Sequence, residues 1–160
     1  MPVPLELRLP EGWHAASPER TGVPDAAFVA LHAYPDDGFT ANVTVDSTFR
    51  PDAATLAEIG DESVGNLGEV AEALDVVSRH EIGSAAAPGL TQTLTLTTTV
   101  GGVSRRLTQS QVYLSLLDVH DPARRAVVRL VLTATATQHD DVLEDFRDIV
   151  ASVRPENSPE

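Results

Sequence analysis

Residues 90–118 read LTQTLTLTTTVGGVSRRLTQSQVYLSLLD, and this stretch decides the fold. Its first half alternates threonine with glutamine or leucine, which is typical of a strand whose successive side chains point to opposite faces. Gly101 and Gly102 then interrupt it, and glycine reaches the positive φ angles of a two-residue hairpin turn without steric cost. We therefore predict two strands, residues 90–100 and 104–118, that pair as an antiparallel hairpin.

Five further strands are predicted on either side of this hairpin: residues 5–9, 27–34, 39–49, 75–83 and 124–136. The first has the strict alternation of apolar and charged residues expected of a half-buried strand. The last follows His120-Asp121-Pro122-Ala123, a turn signal because proline cannot donate to a strand ladder. Most connections are short, and strands joined by short loops pair antiparallel.

Two helices complete the pattern. The first is predicted over residues 52–67, entered through Pro51. Its interior contains Gly60 and Gly65, and each glycine destabilises a helix by about 1 kcal/mol relative to alanine. The second helix closes the domain, because one apolar stripe recurs at helical spacing through Val142, Phe146, Ile149, Val150 and Val153.

The ends of the second helix also have sequence signals. Thr137 or Asp140 is expected to cap its start, and Pro155 to stop it. Trp13, the only tryptophan, follows the turn Pro10-Glu11-Gly12 and is expected to cover one end of the core. The sequence therefore predicts an α+β fold with an antiparallel sheet of about six to seven strands flanked by two principal helices.

Length and composition limit the possible functions. At 160 residues the chain fits one domain, predicted over residues 1–155 with a disordered tail at 156–160. The net charge of -13 argues against nucleic-acid binding, which needs clustered cations. The absence of cysteine excludes disulfides and thiolate chemistry. All eleven basic residues are arginine, which is typical of a GC-rich genome such as that of an actinobacterium.

No stretch has the roughly 20 apolar residues that a membrane helix needs. Met1 is followed by Pro2-Val3-Pro4-Leu5-Glu6, without a basic segment, an apolar core or a lipobox cysteine, so we expect no signal peptide and a cytoplasmic location.

Three short phrases carry a resemblance to a known family. They are LPEGW at residues 9–13, FTANVTV at 39–45 and FRDIVASVRP at 146–155. In this order they resemble the PsbP-like superfamily, and within it the actinobacterial LpqN/LpqT family. The resemblance implies an α/β/α sandwich that acts by binding, as in an extrinsic photosystem subunit, a Ran-binding import factor, secretion chaperones and lipoproteins. The missing lipobox means that surface anchoring does not carry over.

Catalytic and metal-binding motifs are not apparent. The histidines are scattered, which predicts surface or loop positions and no zinc site: His14, His32, His80, His120 and His139. A Ser–His–Asp set remains open on residue types, but the chain has no Gly-x-Ser-x-Gly elbow to hold its serine. We expect no cofactor and no bound metal.

One polar surface stands out. Thr91, Thr93, Thr95, Thr97 and Thr99 fall on one face of their strand, while Gln109, Gln111 and Tyr113 share a face of the next. The last strand adds Arg129. If these faces align, they form a floor that is either an ordinary solvated sheet face or a recognition surface with Tyr113 and Arg129 as anchors. The candidate partner-binding residues are therefore Gln109, Gln111, Tyr113 and Arg129.

The leading hypothesis, as the resemblance implies, is a non-catalytic, protein-binding adaptor or chaperone-like module whose partner is not specified and which could form homo-oligomers. The alternative is a carrier of a small molecule or lipid that uses a cavity between helix and sheet. The third hypothesis is that the protein is an enzyme.

Overall fold

The computed structural model describes residues 5–16, 28–36, 38–50, 52, 54–84, 88–116 and 125–155. Strands and helices follow one another along these residues: β1 (Leu5–Glu6), β2 (Trp13–Ala16), β3 (Phe28–His32), β4 (Asn42–Phe49), α1 (Leu56–Gly68), β5 (Ala73–Gly83), β6 (Pro88–Val100), β7 (Val103–Leu116), β8 (Ala126–Thr135), α2 (His139–Ser152) and β9 (Arg154–Pro155). The predicted turn at residues 120–123 and the predicted tail at 156–160 lie outside the described residues.

Seven strands form one antiparallel sheet in the order β2-β3-β4-β8-β7-β6-β5, while β1 pairs only with β9. The predicted α+β fold, with a seven-stranded antiparallel sheet and two principal helices, is confirmed. The last sheet strand, β8, lies between β4 and β7, so it joins the two halves of the chain.

The amino-terminal strands differ from the prediction. Only two of residues 5–9 are in a strand, because the Arg8 N–H donates to Ser152 Oγ, and Leu7 and Leu9 pack against the core beside α2. The alternation of apolar and charged residues over residues 5–9 thus reflects the packing of one side of this segment against the end of α2. The strand at Trp13–Ala16 was not predicted, since its residues do not alternate in polarity. Trp13 is buried as expected, and its Nε1 donates to the Asp145 carboxylate at 3.0 Å.

The glycine hairpin is confirmed. Gly101 and Gly102 have φ angles of +60° and +78°, as a two-residue turn with both central residues in the left-handed region requires. It joins β6 to β7, which pair from Gly89 opposite Leu114 out to Val100 opposite Val103. This long hairpin fixes the register of the central sheet.

Each helix covers one face of the sheet. On the α2 face, alternate residues of β4 and β8 pack with Trp13, Val142, Phe146 and Ile149 into the larger core cluster. On the α1 face, Ile59 packs with Leu90, Tyr113 and Val127. The buried positions of α2 confirm the central part of the stripe predicted from its spacing; Val150 and Val153 pack at its margin.

Helix α1 begins later than predicted. Thr55 caps it, accepting from the Glu58 N–H while the Glu58 carboxylate accepts from the Thr55 N–H. This capping box starts the helix at Leu56 instead of residue 52. The buried Gly60 faces the sheet, where its missing side chain lets the helix approach Leu90 and Gln92.

Helix α2 starts without either predicted cap. The residue before its first turn is Gln138, whose side chain makes no capping bond. Thr137 instead donates to the Asp36 carboxylate at 2.6 Å, and Thr135 donates to the same oxygen. These bonds hold the start of α2 against the β3–β4 connection, and they lower the pKa of Asp36. The helix ends at Ser152, three residues before Pro155.

Candidate functional site

Of the three polar strand faces, those of β7 and β8 align, with Tyr113 opposite Arg129, whereas the threonine face of β6 does not. Thr91 lies opposite Val112, and Thr93 lies opposite Ser110, so the alternating threonines from Thr91 to Thr99 share the α2 face. Gln111 lies opposite Gln92, on the α1 face. Directly opposed residues of an antiparallel pair point to the same side of the sheet. The predicted common floor of threonine and glutamine is therefore wrong, because the hairpin register places the two sets on opposite faces.

The predicted binding residues are also largely inaccessible. Gln109, Gln111 and Tyr113 are buried, with 7%, 0% and 1% of their surface exposed. Helix α1 covers this face of the sheet, and Tyr113 contributes to the small core beneath it. The expected exposure is therefore wrong for these three residues, while Arg129 keeps a third of its side chain exposed.

A chain of hydrogen bonds explains how so many amides are buried. Arg79 donates to Gln92 Oε1, and Gln92 Nε2 donates to Gln111 Oε1 at 2.6 Å. Gln111 in turn donates to Gln109, while the Tyr113 hydroxyl donates to Gln111 Oε1 at 2.8 Å. Buried amides are tolerated when such bonds replace those to water. The network thus belongs to the interior and aligns α1 with β5, β6 and β7.

Arg129 lies in a cleft of about 480 Å³ between α1 and strands β4 and β8. One terminal nitrogen donates to Ser63 Oγ at 2.9 Å, and the other lies 3.9 Å from the Asp46 carboxylate. Burial raises the pKa of Asp46, and the nearby Arg129 opposes that shift. At the same cleft, Arg50 pairs with Asp52 and Glu62 at 2.9 Å each, which lowers the pKa of both carboxyl groups. Cations and anions therefore neutralise one another there.

One constellation has the atom order of a catalytic triad. Ser110 Oγ lies 2.8 Å from His139 Nε2, and His139 Nδ1 lies 3.4 Å from Asp140. Acyl transfer also requires an accessible serine and free N–H donors for an oxyanion. Ser110 is buried in a central strand between Thr93 and Leu132, so its backbone is committed to the sheet. The contact anchors the start of α2, and the predicted surface position is wrong for His139.

A cluster of exposed apolar side chains lies at one end of the sheet. β5 is its edge strand, eleven residues long, and its outer side has no partner strand among the described residues. Val76, Val77 and Ile82 are exposed, and Val70 lies just before the strand with 75% of its surface exposed. We call the outer side of β5, with Val76, Val77 and Ile82, the β5 edge. The opposite edge strand, β2, has only four residues.

A groove of about 450 Å³ runs beside the β5 edge on the α2 face. Its floor includes Thr91 and Thr93 of β6 with His80 of β5, and its wall is formed by Leu143 and Val150 of α2. We call this the α2 groove. It exists because α2 lies over β7 and β8, leaving the last two strands uncovered. The β5 edge and the α2 groove together form the candidate binding site.

The sequence predicted β5 as a strand but assigned it no role. Its valines and isoleucine favour a strand, and nothing in a local pattern distinguishes an edge strand from a central one. The only local signal is Val76-Val77, two adjacent apolar residues where strict alternation would place one. They mark a bulge, since the pairing with β6 shifts by one residue between Val76 and Ser78.

Within the described ranges, no group of three or more histidine or acidic side chains is arranged to hold a metal ion. Neither helix in that part of the chain is long and apolar enough to span a bilayer.

No protein-family model and no curated protein sequence matches the chain significantly. Solved structures do match. LpqN of Mycobacterium tuberculosis, involved in cell envelope biogenesis, superposes with a TM-score of 0.66 and 12% identity, over 94% of this chain and 82% of that one. The Ran-binding protein Mog1p of Saccharomyces cerevisiae gives 0.65 and 14%, over 94% and 89%. Cyanobacterial PsbP from Synechocystis gives 0.57 and 14%, over 96% and 94%.

These matches cover 94 to 96% of the chain, so the likeness extends over nearly its whole length. At 12 to 14% identity it is a likeness of fold. The chain therefore has the PsbP-like fold that its three short phrases indicated.

Proposed function

We propose that this protein is a non-catalytic, protein-binding module that captures an extended segment of a partner along the β5 edge. The observation that carries the proposal is the concentration of exposed apolar side chains there. Val70, Val76, Val77 and Ile82 all lie on β5 or just before it. Exposed apolar side chains on a long open edge mark an interaction site, because natural sheets otherwise protect such edges.

The geometry suits recognition by strand addition. A partner segment paired with β5 would gain main-chain hydrogen bonds, and its alternate side chains would face the α2 groove. The groove offers hydroxyl groups on its floor and apolar side chains on its wall. Main-chain bonds would supply affinity, and the groove would select side chains. The Ran-binding activity named for Mog1p supports protein binding on this fold.

The proposal can be tested by affinity capture from the native host. Val77→Lys combined with Ile82→Lys should abolish retention of the partner, because two charges replace apolar contacts on the β5 edge. Val103→Lys is the matched control, since Val103 is 47% exposed on the same sheet but lies beside the β6–β7 turn. All variants should keep their melting temperatures. Equal recovery of partners with both variants would contradict the proposal.

The α2 groove also supports the alternative function, carriage of a small molecule. It lies between helix and sheet, as a carrier requires, and its volume falls within the usual range for such sites. Native mass spectrometry of the purified protein distinguishes the two functions. A retained small mass that is lost in Thr93→Phe, which would fill the floor, supports carriage. A clean apo mass supports the protein-binding module.

A further inference from the structure

The bulge in β5 decides which of its side chains share a face. Asp75 lies opposite Thr95 and Ser78 opposite Thr93, so Asp75, Ser78, His80 and Ile82 point to the α2 face. Arg79 and Glu81 lie opposite Gln92 and Leu90, on the α1 face. In a regular strand Asp75 would share a face with Arg79, and the bulge at Val77 places the two on opposite faces. The regular part of β5 after the bulge therefore presents one cation, Arg79, and one anion, Glu81, on the α1 face.

We propose that β5 pairs with β5 of a second copy of this chain, antiparallel and centred on His80. This inference rests on the proposed function and names the partner segment. Directly opposed residues of an antiparallel pair share a face, so a two-fold axis perpendicular to the sheet must pass through one residue of β5 and not between two residues. Centring on Arg79 would oppose two arginines, and centring on Glu81 would oppose two glutamates. Centring on His80 places Arg79 opposite the second copy's glutamate twice.

Arg79 is already bonded but keeps unused donors, and Glu81 is open to solvent. Arg79 uses three donors, two on Gln92 and one on Asp61, and a guanidinium has five. Glu81 is exposed and forms no ion pair with the described residues. On the α2 face, the same register sets Ser78 opposite Ile82 and the two copies of His80 opposite each other. Opposite charges directly across an antiparallel pair stabilise it, and like charges destabilise it.

The charge of the whole chain also favours this edge as the contact. The protein carries a net charge of -13, so most surfaces of two copies repel each other. The segment Ala73–Gly83 contains one arginine and two acidic residues, so it is close to neutral. A continuous sheet formed across this edge would also cover the exposed Val76 and Val77 at both ends of the paired segment.

Cysteine cross-linking tests the register, because the chain has no cysteine of its own. His80→Cys would place two Cα atoms about 4.5–5.5 Å apart, within disulfide range. Ser78→Cys, the matched control on the same face and strand, would place them about 13 Å apart, four residues out of register. We expect at least ~10-fold more disulfide dimer from His80→Cys under mild oxidation. Adding Glu81→Arg, which opposes two arginines, should remove most of that dimer.

Light scattering of the wild-type protein over a concentration series completes the test, with a reversible dimer expected. Comparable cross-linking of both cysteine variants, or a wild type that stays monomeric at the highest concentration, would overturn self-pairing. The wild type could instead stay monomeric and capture another protein, with that capture lost in the double variant Val77→Lys, Ile82→Lys. This result would overturn self-pairing and leave the proposed function intact. If the double variant still dimerises and still captures the other protein, both self-pairing and the proposed function are overturned.

Discussion

Two glycines of α1 provide a sharp test of how the helix sits on the sheet. A Cβ added at Gly60 would lie 3.1 Å from Gln92 Oε1 and 3.2 Å from a Leu90 methyl group, whereas at Gly65 no atom lies within 4 Å. Alanine should stabilise a helix interior by about 1 kcal/mol at either position. At Gly65 no neighbouring atom opposes the added methyl group, so Gly65→Ala should raise the free energy of unfolding by about 0.5 to 1 kcal/mol.

At Gly60 the gain is outweighed. Gln92 is buried, and its amide is held by Arg79, Gln111 and the Gly60 carbonyl, so it cannot retreat without losing bonds. Overpacking of about 1 to 2 kcal/mol and one lost hydrogen bond of about 1 kcal/mol exceed the helix gain. Gly60→Ala should therefore lower the free energy of unfolding by about 1 to 2 kcal/mol.

The assay is equilibrium urea unfolding of wild type and both variants, followed by far-ultraviolet circular dichroism. The two variants should differ by about 1.5 to 3 kcal/mol with opposite signs relative to wild type. Equal stabilisation of both would refute the reasoning, because it would mean that α1 does not press Gly60 against Gln92.

Four further outcomes follow from the same contacts. Phe146→Ala should lower the free energy of unfolding by roughly 3 to 5 kcal/mol, since Phe146 is buried under α2; a loss below about 1 kcal/mol would contradict the docking of that helix. Tyr113→Phe should lower it by about 1 kcal/mol, because its hydroxyl bond to Gln111 is lost, whereas an unchanged urea midpoint would place that hydroxyl in solvent. The pKa of Asp36 is lowered in the folded state, so its contribution to stability is present above the ordinary value of 3.8 and is lost as the pH falls through the folded value. Asp36→Asn should therefore show a smaller drop in melting temperature between pH 7 and pH 3 than wild type, and an identical drop would argue against the threonine bonds. Finally, a fluorophosphonate probe should not label Ser110, and stoichiometric labelling detected by mass spectrometry would establish a catalytic serine.

Much of the fold could be predicted from local patterns. Alternation along residues 90–118 predicts two strands, and the adjacent glycines predict the turn between them, because both depend only on neighbours in sequence. The stripe containing Phe146 likewise predicts α2 and its buried side. Trp13 could be placed at the end of the core for the same reason, as a large aromatic directly after a turn.

The burial of the residues expected to bind a partner could not be predicted in the same way. A period of two shows that Gln109, Gln111 and Tyr113 share a face, but it does not show what covers that face. The sequence pattern of a solvated sheet and that of a buried amide network are the same. Only the docking of α1 turns these residues inward, where hydrogen bonds to Gln92 and Arg79 replace those to water.

The position of β5 at the open edge was also a tertiary outcome. The sequence by itself determined where strands, turns and the closing helix occur, because backbone preference and side-chain periodicity act over a few residues. The tertiary structure decided that β8 lies between β4 and β7, that each helix covers a different face, and that β5 is left without an outer neighbour. These outcomes depend on contacts between residues distant in sequence. Only that arrangement shows that the exposed Val76 and Val77 lie on an open edge of the sheet.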